Sequence, residues 1–346
     1  MVSVSQIIYG NCVKYDRLKS IIDEAFAGSE ANNLNIYVDL YSILKQAFKK
    51  EINVENYFDI ASCVINTCAH YREFFKRYYN VDTSFYLIFS YNIYNKSILP
   101  DYNAKFEQLV NSCSDIRFDL IEKNLNLLEH ICPYLPNIYF INGKYEVGVY
   151  IKDLMHKIGK DNKLANMVIT KDSYLYQLVD TDTIILRPKK NKDTDASYFV
   201  SINNIYSSLA VVRKSVLSCY ELFQDFISPE LYSWILAVSN CPERNIKSIV
   251  SLPETLKLFK SLITCNMINN CYTSYDLTST ISSVSNKYIP NNLYNRFKAI
   301  DINYQLISCK SSNVLFYNLQ NLFDPEGIKY INNQYFQLNP LDLNRL

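Results

Sequence analysis

The sequence contains little glycine, histidine or tryptophan, and it has no long apolar run. Only 6 glycines, 3 histidines and 1 tryptophan occur among its 346 residues. A helix needs about 20 consecutive apolar residues to span a bilayer, so we expect no membrane segment. The 10 cysteines include no Cys-x-x-Cys pair, and the 3 histidines do not complete any usual set of zinc ligands with them. We therefore expect no zinc site.

The charge balance is nearly neutral. Lys and Arg together number 35 against 34 Asp and Glu, which gives a formal net charge of +1. A global basic field of the kind that drives non-specific nucleic-acid binding is therefore excluded, and such binding requires a local patch. Because no signal-peptide pattern is present, the scattered cysteines indicate reduced thiols. We expect a cytoplasmic protein, in the host cytoplasm or the virion if the source is viral.

Aromatic residues, in contrast, are abundant. The chain has 30 Tyr and 18 Phe, together with much Asn and Ile. This bias is typical of AT-rich genomes, often those of phages or viruses. An AT-rich bacterial genome explains it equally well, so the source stays open.

Segments of strand and helix character alternate as far as Ala196. Leu34–Val38 and Met167–Ile169 are short apolar runs, and each leads to an acidic residue and then to apolar residues at helical spacing. This alternation predicts an α/β domain at 34–196 with a central, mostly parallel sheet flanked by helices. Residues 1–33 are predicted to be a helical lead, and residues 197–346 a mainly helical C-terminal region.

Three carboxylates stand where predicted strands end. Asp39 follows the first strand, Glu146 opens a helix after the third, and Asp172 follows the fourth. In a parallel sheet these ends meet at one edge, where ligands bind, and carboxylate oxygens suit Mg²⁺ or Mn²⁺. The interpretation is a metal site for phosphodiester hydrolysis. The alternative is that these carboxylates cap helices or accept backbone hydrogen bonds.

A basic and aromatic set marks a candidate nucleic-acid surface. Its cations lie off an apolar helix stripe or in segment 92–105, which Pro100 and the polar residues predict to be a loop or arch. The candidates are Arg72, Lys76, Arg77, Lys96 and Lys105 for phosphates and Tyr102 for base stacking. Charges beside an apolar stripe also form ordinary solvated faces, and tyrosines often pack in cores, so both interpretations stay open.

At these positions the chain resembles the 5′ nuclease family, the flap endonucleases and 5′–3′ exonuclease domains of the PIN-like superfamily. IYVDLYSILKQAF is similar to the family's opening strand and helix, and MVITKDSYLYQLV to its Ser-Gly-Asp-Lys-Asp segment. YLIFSYN, ILPDYNAKF, GKYEVGVYIKDL and LAVSNCPERNIKSI stand at the places of four further motifs, over about residues 34–249. The resemblance implies Mg²⁺ or Mn²⁺ cofactors and acidic ligands at Asp39, Glu146 and Asp172.

The chain departs from the family pattern at most of the other acidic positions. The residues that stand in place of family aspartates are Ser90, Gly148, Val149, Tyr174, Asn240, Cys241 and Arg244. No glycine occurs between Gly159 and Gly327, although the family's DNA-binding hairpin uses a glycine-containing turn.

The resemblance and these departures together favour a catalytically inactive relative, a pseudoenzyme. Such a protein would act as a nucleic-acid-associated or assembly subunit, with DNA or RNA and proteins of replication, transcription or virion assembly as partners, and without a cofactor. One alternative is an active Mg²⁺-dependent 5′ nuclease with a reduced acidic site. Another is a purely structural virion or interaction protein that uses its tyrosine-rich surface for protein contacts.

Overall fold

A six-stranded sheet forms the centre of the molecule. In a computed structural model, the strands lie side by side in the order β3-β2-β1-β4-β5-β6. They are β1 (Asn33–Asp39), β2 (Asp82–Ser90), β3 (Ile138–Gly143), β4 (Asn166–Ile169), β5 (Thr183–Arg187) and β6 (Tyr198–Val200). The structure describes residues 33–42, 44, 60–91, 93–102, 104–112, 115–158, 166–179, 183–187, 198–200, 229–241, 244–265, 271–285, 293, 295–309 and the single positions 319, 322, 324, 326, 328, 329 and 341.

The chain order of the strands creates a switch point in the middle of the sheet. From β1 the chain passes to β2 and β3 on one side, then returns to β4 and β5 on the other, and all five are parallel; only β6 is antiparallel. Val38 pairs with Ile169, so the carboxyl ends of β1 and β4 lie next to each other. Ligands bind at such a switch point in open parallel sheets.

Helices cover the sheet and continue into the C-terminal region. The described helices are α1 (Ile60–Tyr79), α2 (Ile93–Ile98), α3 (Ala104–Asn111), α4 (Asp115–Ile131), α5 (Val147–Ile158), α6 (Pro229–Ser239), α7 (Leu252–Cys265), α8 (Ser274–Ser285) and α9 (Phe297–Ile307). Short 3₁₀ helices occur at Cys132–Tyr134 and Ser173–Leu178. Within the described residues, no helix has the length and apolar character that a bilayer crossing needs.

Several tyrosines of the described residues lie inside the molecule. Tyr37, Tyr86 and Tyr139 are paired across β1, β2 and β3, and their rings stack in sequence with centroids 5.1 Å apart at each step. The first two rings are buried. Stacked aromatic pairs across neighbouring strands stabilise a sheet beyond their buried area, so this row fixes the register of the sheet's first half.

An aromatic stack joins two of the C-terminal helices, and the amide of Gln177 links them to the 3₁₀ helix that follows β4. The indole of Trp234 in α6 lies on the ring of Tyr304 in α9, with centroids 3.7 Å apart and an interplanar angle of 6°. Gln177, in the 3₁₀ helix after β4, accepts hydrogen bonds from Ser233 and from the Cys309 backbone and donates to the Ile307 carbonyl. One side chain therefore joins the sheet to α6 and to the end of α9.

The predicted α/β class with a parallel sheet and a helical C-terminal region is confirmed. The loop predicted for 92–105 is found only at 99–102, around Pro100, because 93–98 form α2 and α3 begins at Ala104. Helix α2 ends before Pro100, and Lys96 forms an ion pair with Glu107 of α3 that holds the two short helices together. The helical lead predicted for 1–33 lies outside the described residues, except for Asn33, which begins β1. The stretch 201–228 also lies outside the described residues.

Replacing the buried Trp234 should destabilise the protein strongly. Trp234→Ala removes a fully buried ring and with it the stacking contact to Tyr304. We expect the free energy of unfolding to fall by about 3–5 kcal/mol. Tyr272→Ala, at a ring that is 68% exposed, is the matched control and should change it by less than about 0.5 kcal/mol. Urea unfolding followed by circular dichroism measures both, and similar losses in the two variants would contradict the packing described here.

Candidate functional site

The site lies at the switch point and begins with Asp39 at the end of β1. Its carboxylate is buried, and both oxygens already accept hydrogen bonds. Oδ1 accepts from the Ser42 backbone N–H at 3.0 Å, and Oδ2 accepts from the Thr170 hydroxyl at 2.6 Å. The Ser42 bond is the helix-capping contact that the sequence offered as an alternative to metal binding. Thr170, the residue after β4, ties this carboxylate to the neighbouring strand.

Asp39 is held where a negative charge is unfavourable. Burial, and then the nearby charge of Asp172, raise the pKa of the Asp39 carboxyl to about 6. The hydrogen bonds from Thr170 and Ser42 and the charge of Arg244 offset only part of this rise. The ionised form of Asp39 is therefore disfavoured first because the carboxylate is removed from water and second because Asp172 is close.

Glu146 immediately precedes α5, and each oxygen of its carboxylate has two polar neighbours. The Tyr102 hydroxyl donates to Oε1, and the Tyr174 hydroxyl donates to Oε2 at 2.9 Å. Burial, followed by the Glu146 charge, raises the pKa of both phenols well above the ordinary value, so they remain protonated donors. Arg244 adds a nitrogen to each oxygen, with Nε 3.0 Å from Oε1 and Nη2 donating to Oε2 at 3.3 Å.

The fourth charged residue of the site, Arg244, comes from the helical C-terminal region. After α6 the chain makes a tight turn in which Cys241 and Ile246 exchange backbone hydrogen bonds. Asn245 adopts a left-handed φ of 58°, and its amide donates to the Asp101 carbonyl. This turn projects the Arg244 side chain into the edge of the sheet, where it is fully buried.

The Arg244 guanidinium lies between the carboxylates and is enclosed by aromatic rings. Nη1 is 2.8 Å from Oδ2 of Asp172, so one cation bridges Glu146 and Asp172. The guanidinium carbon is 4.3 Å from the centroid of the Tyr174 ring and 5.3 Å from that of Tyr41, distances at which cations are attracted to ring faces.

Charge, more than hydrogen-bond alignment, holds the arginine in place. Neither Nε nor Nη1 has an aligned hydrogen-bond acceptor, and Oδ2 of Asp172 has no aligned donor, although the ion-pair distances are short. Burial alone lowers the pKa of Arg244, but the charges of Glu146 and Asp172 more than offset this and hold it well above its ordinary value. The guanidinium is therefore a permanent cation of the site.

These residues do not fit a divalent metal ion. In the part of the chain that the structure describes, no group of three or more His, Cys, Asp or Glu side chains is arranged to hold one. A carboxylate oxygen has two lone pairs, and each oxygen of Glu146 already has a tyrosine hydroxyl and an arginine nitrogen beside it. The fold does bring Asp39, Glu146 and Asp172 to one edge of the sheet, but Glu146 and Asp172 are paired with a guanidinium and Asp39 is hydrogen-bonded to Ser42 and Thr170.

Comparison with solved structures gives the fold a name. A bacteriophage T5 5′-exonuclease with bound divalent metal ions (zinc) superposes with a TM-score of 0.54 at 14% identity, over 80% of this chain and 89% of that one. A lysine-for-aspartate variant of the bacteriophage T5 flap endonuclease, a pseudo-enzyme–product complex with DNA and metal ions, gives 0.53 at 12% identity over 80% and 89%. The chain has the 5′ nuclease fold. No protein-family model matches the sequence, and no curated protein matches it.

Three of the residues that stand where the resembled family has aspartates, Ser90, Gly148 and Tyr174, make uncharged contacts in this fold. Ser90, at the end of β2, donates its hydroxyl to the Tyr145 carbonyl. Gly148 sits so close to its neighbours that an added Cβ would overlap the Cys309 sulfur and lie 2.8 Å from Leu175 Cδ2. The Gly148 backbone N–H donates to the Tyr174 hydroxyl, which in turn donates to Glu146. An aspartate at position 148 has no room in this arrangement.

Several of the predicted nucleic-acid residues contact other groups of the chain. Arg72 contacts the Pro136 carbonyl and the Phe85 ring, Lys76 pairs with Asp82 at 2.8 Å, and Lys96 pairs with Glu107. The side chain of Arg77 is exposed and lies over the Tyr78 ring, and Lys105 is in α3.

Tyr102, which was predicted to stack on a base, lies in the interior of the structure. Its ring is fully buried and its hydroxyl faces Glu146, so it contributes to the carboxylate site and presents no face to solvent. The segment that carries it was predicted to be a loop, and its burial follows from a partner 44 residues farther along the chain. The tyrosine therefore serves the interior of the protein.

Sequence reasoning did not assign the residues that complete the site: Arg244, Thr170 and Tyr41. Arg244 did carry a signal, since it is a cation within a stretch that resembles an acidic family motif. A reversal of charge at such a position indicates a new partner among the remaining acids. Thr170 and Tyr41 carried no signal, because a threonine after a strand and a tyrosine in a helix are common.

The raised pKa of Asp39 predicts a specific pH dependence of stability. Because the folded protein releases this proton near pH 6 and the unfolded chain near pH 3.8, stability from this group is greatest below pH 3.8 and is lost as pH rises through 6. Asp39→Asn removes the charge but keeps an acceptor and a donor for Ser42 and Thr170. We expect it to raise the free energy of unfolding at about pH 8 by up to about 3 kcal/mol, with little effect near pH 4.

Urea unfolding of wild type and variant from about pH 4 to pH 8 measures this difference. Asp101→Asn changes an exposed carboxylate and serves as the control. A variant that is less stable than wild type at pH 8 would show that the ionised Asp39 is stabilising, contrary to this expectation.

Proposed function

We propose that this chain is a catalytically silent protein built on the 5′ nuclease fold and that it serves as an assembly or nucleic-acid-associated subunit. One observation carries the proposal: the buried Arg244 guanidinium lies between Glu146 and Asp172, the two carboxylates that resemble metal ligands of the family. A guanidinium neutralises these acids without offering a site for an activated water. The acids are thus committed to an internal structural role.

The burial of the site supports the same proposal. The exposed fractions of Asp39, Glu146, Asp172 and Arg244 are 0%, 2%, 5% and 0%. A phosphodiester must come within about 3–4 Å of the groups that activate its displacement, and these side chains are sealed by the rings of Tyr41, Tyr102 and Tyr174. Access for a substrate would require the packing around Arg244 to open.

The surface observations favour assembly with proteins over binding of nucleic acid. The predicted phosphate contacts Arg72, Lys76 and Lys96 each have a partner within the chain. Tyr272 and Tyr275, beside and within the first turn of α8, each expose 68% of their surface, and exposed aromatics are enriched where proteins meet. A bacteriophage T5 neighbour is a complex with DNA, which keeps nucleic-acid association in the proposal. A phage or viral source is part of the proposal, because the amino-acid bias is typical of AT-rich genomes, although an AT-rich bacterial genome explains that bias equally well.

The nuclease test asks whether metal-dependent cleavage exists at all. The full chain is incubated with a 5′-flap duplex and a gapped duplex in Mg²⁺ or Mn²⁺, with EDTA as background and an active flap endonuclease as positive control. We expect cleavage at the EDTA background, because the carboxylates that would hold the metal are occupied by Arg244. Metal-dependent cleavage that disappears in Asp39→Ala and in Asp172→Ala would overturn the silent assignment.

A binding test distinguishes the assembly role from the nucleic-acid-associated role. Fluorescence anisotropy with flap DNA and single-stranded RNA is measured at about 50 and 200 mM salt, where phosphate contacts lose affinity steeply. We expect no affinity tighter than about 1 μM at the higher salt, since most of the basic candidates are internally paired. Tighter, salt-dependent binding that weakens in the variant Lys76→Ala/Arg77→Ala would instead assign the nucleic-acid role.

A further inference from the structure

In the part of the chain that the structure describes, the most exposed large apolar side chains are two tyrosines at the start of α8. Tyr272 comes two residues before the helix and Tyr275 is its second residue, and each exposes 68% of its surface. Tyrosines are enriched where proteins meet, because each ring offers a large contact area while only two side-chain torsions become ordered. The start of α8 is therefore a candidate surface for a protein partner.

The backbone beneath these two rings is fixed by a reciprocal cap. The Asp276 carboxylate accepts hydrogen bonds from the backbone N–H groups of Tyr272 and Thr273, at 3.1 and 2.9 Å. The Thr273 hydroxyl in turn accepts from the Asp276 backbone N–H at 3.2 Å. Such a capping box satisfies the donors at a helix start. Because this backbone is already ordered, a partner that binds here has little loop entropy to overcome.

The start of α9 lies against the start of α8. The Ser274 backbone N–H donates to Asp301 Oδ1 at 2.6 Å, and the Ser274 hydroxyl is 3.0 Å from Asp301 Oδ2 and 3.3 Å from the Phe297 carbonyl oxygen. Arg296 and Lys298 stand on either side of Phe297 in the chain, and both side chains are exposed. Exposed tyrosines and exposed cations therefore lie around the point where the two helices meet. We call this the α8–α9 surface; it consists of Tyr272, Tyr275, Arg296 and Lys298.

The charges of the α8–α9 surface are arranged unequally. The acids of the two helix starts, Asp276 and Asp301, accept from backbone N–H groups at the start of α8, where the positive end of a helix dipole offsets a negative charge. Arg296 instead occupies the capping position of α9 without a side-chain hydrogen bond to the helix, and the first turn, which contains Lys298, has no acidic residue. Cations at the positive end of a helix dipole are unfavourable, and an anionic partner would relieve this cost.

From these contacts we infer that the α8–α9 surface binds an acidic segment of a partner protein that also carries apolar or aromatic side chains. The tyrosines cover the apolar side chains of that segment, and Arg296 and Lys298 pair with its carboxylates. A second copy of this chain is a poorer occupant, because a two-fold axis at this surface would bring like cations together. The inference rests on the proposed assembly role and adds to it a surface and the chemistry of the partner.

The experiment identifies the preferred chemistry without assuming a partner sequence. Random peptides of about 12 residues displayed on phage are selected in parallel on the full wild-type chain and on three double variants, since a segment of this length can span such a surface. Enriched peptides are then synthesised, and their affinities are measured by fluorescence anisotropy at about 50 and 200 mM salt, where exposed ion pairs are screened to different extents.

Two of the double variants alter the α8–α9 surface, and the third is a control. Tyr272→Ser/Tyr275→Ser removes the rings, and Arg296→Glu/Lys298→Glu reverses the charges and places acids at a helix start, where they favour the fold. The control Lys123→Glu/Lys152→Glu makes the same change of net charge at exposed side chains of α4 and α5. Circular dichroism confirms that each variant is folded.

We expect wild type and the Lys123→Glu/Lys152→Glu control to enrich the same acidic peptides with apolar or aromatic residues, and their affinity to fall as salt rises. Tyr272→Ser/Tyr275→Ser should bind these peptides at least about tenfold more weakly, as is usual when interface aromatics are removed. Arg296→Glu/Lys298→Glu should enrich basic peptides instead, because reversing the surface charge reverses the preferred partner charge.

Enrichment of neutral or basic peptides by wild type would overturn the inference, as would acidic peptides that bind Tyr272→Ser/Tyr275→Ser or Arg296→Glu/Lys298→Glu as tightly as wild type. A wild type that enriches no peptide above these two variants would overturn it as well.

Two further measurements test other occupants of the surface. Dimerisation of wild type in sedimentation velocity that Tyr272→Ser/Tyr275→Ser abolishes would assign the surface to a second copy. Single-stranded RNA that binds wild type with micromolar affinity and is lost in Arg296→Glu/Lys298→Glu would assign it to nucleic acid. Either result overturns the inference. Metal-dependent cleavage by wild type would contradict the proposed function and leave the peptide selection unaffected, so the two failures are distinguishable.

Discussion

The electrostatic contact between one buried arginine and two buried carboxylates is the constraint on which this structure depends. Taking charges out of water is costly, and only short contacts with opposite charges offset that cost. Arg244 makes these contacts with Glu146 and Asp172, and the faces of two tyrosine rings add to them. Removing either member of such a pair usually costs about 3–5 kcal/mol, because the other charge stays buried and uncompensated.

The sheet makes this contact available, and the tyrosines complete it. The parallel strands bring the ends of β1 and β4 together, and with them Asp39 and Thr170, while Glu146 reaches the same edge from the start of α5. Tyrosine suits the remaining positions because its ring fills space and its hydroxyl satisfies a buried acceptor. An aspartate in place of Tyr174 would instead add a charge to a site that already holds more acids than cations.

Local sequence patterns were sufficient to predict the sheet and the three acids, and insufficient to predict what the acids contact. Asp39 and Asp172 each follow an apolar run closely in the sequence. A local pattern is therefore enough to predict both the strand and the acidic residue at its end. Arg244 is 98 residues from Glu146 and is placed by a turn with a left-handed Asn245, which no periodicity records. The same limit applies to Tyr102, which is buried with its hydroxyl on the carboxylate of Glu146, 44 residues farther along the chain.

The turn that carries Arg244 belongs to the helical C-terminal region, whereas the acids that it neutralises belong to the α/β part of the chain. The Gln177 amide bridges the same two parts through Ser233, Ile307 and Cys309. A fragment that ended before position 244 would retain all six strands of the described residues and still lack the cation that pairs with its buried carboxylates. The change of sequence pattern predicted near residue 196 therefore does not separate the charges of the interior, because the cation on one side of it pairs with carboxylates on the other.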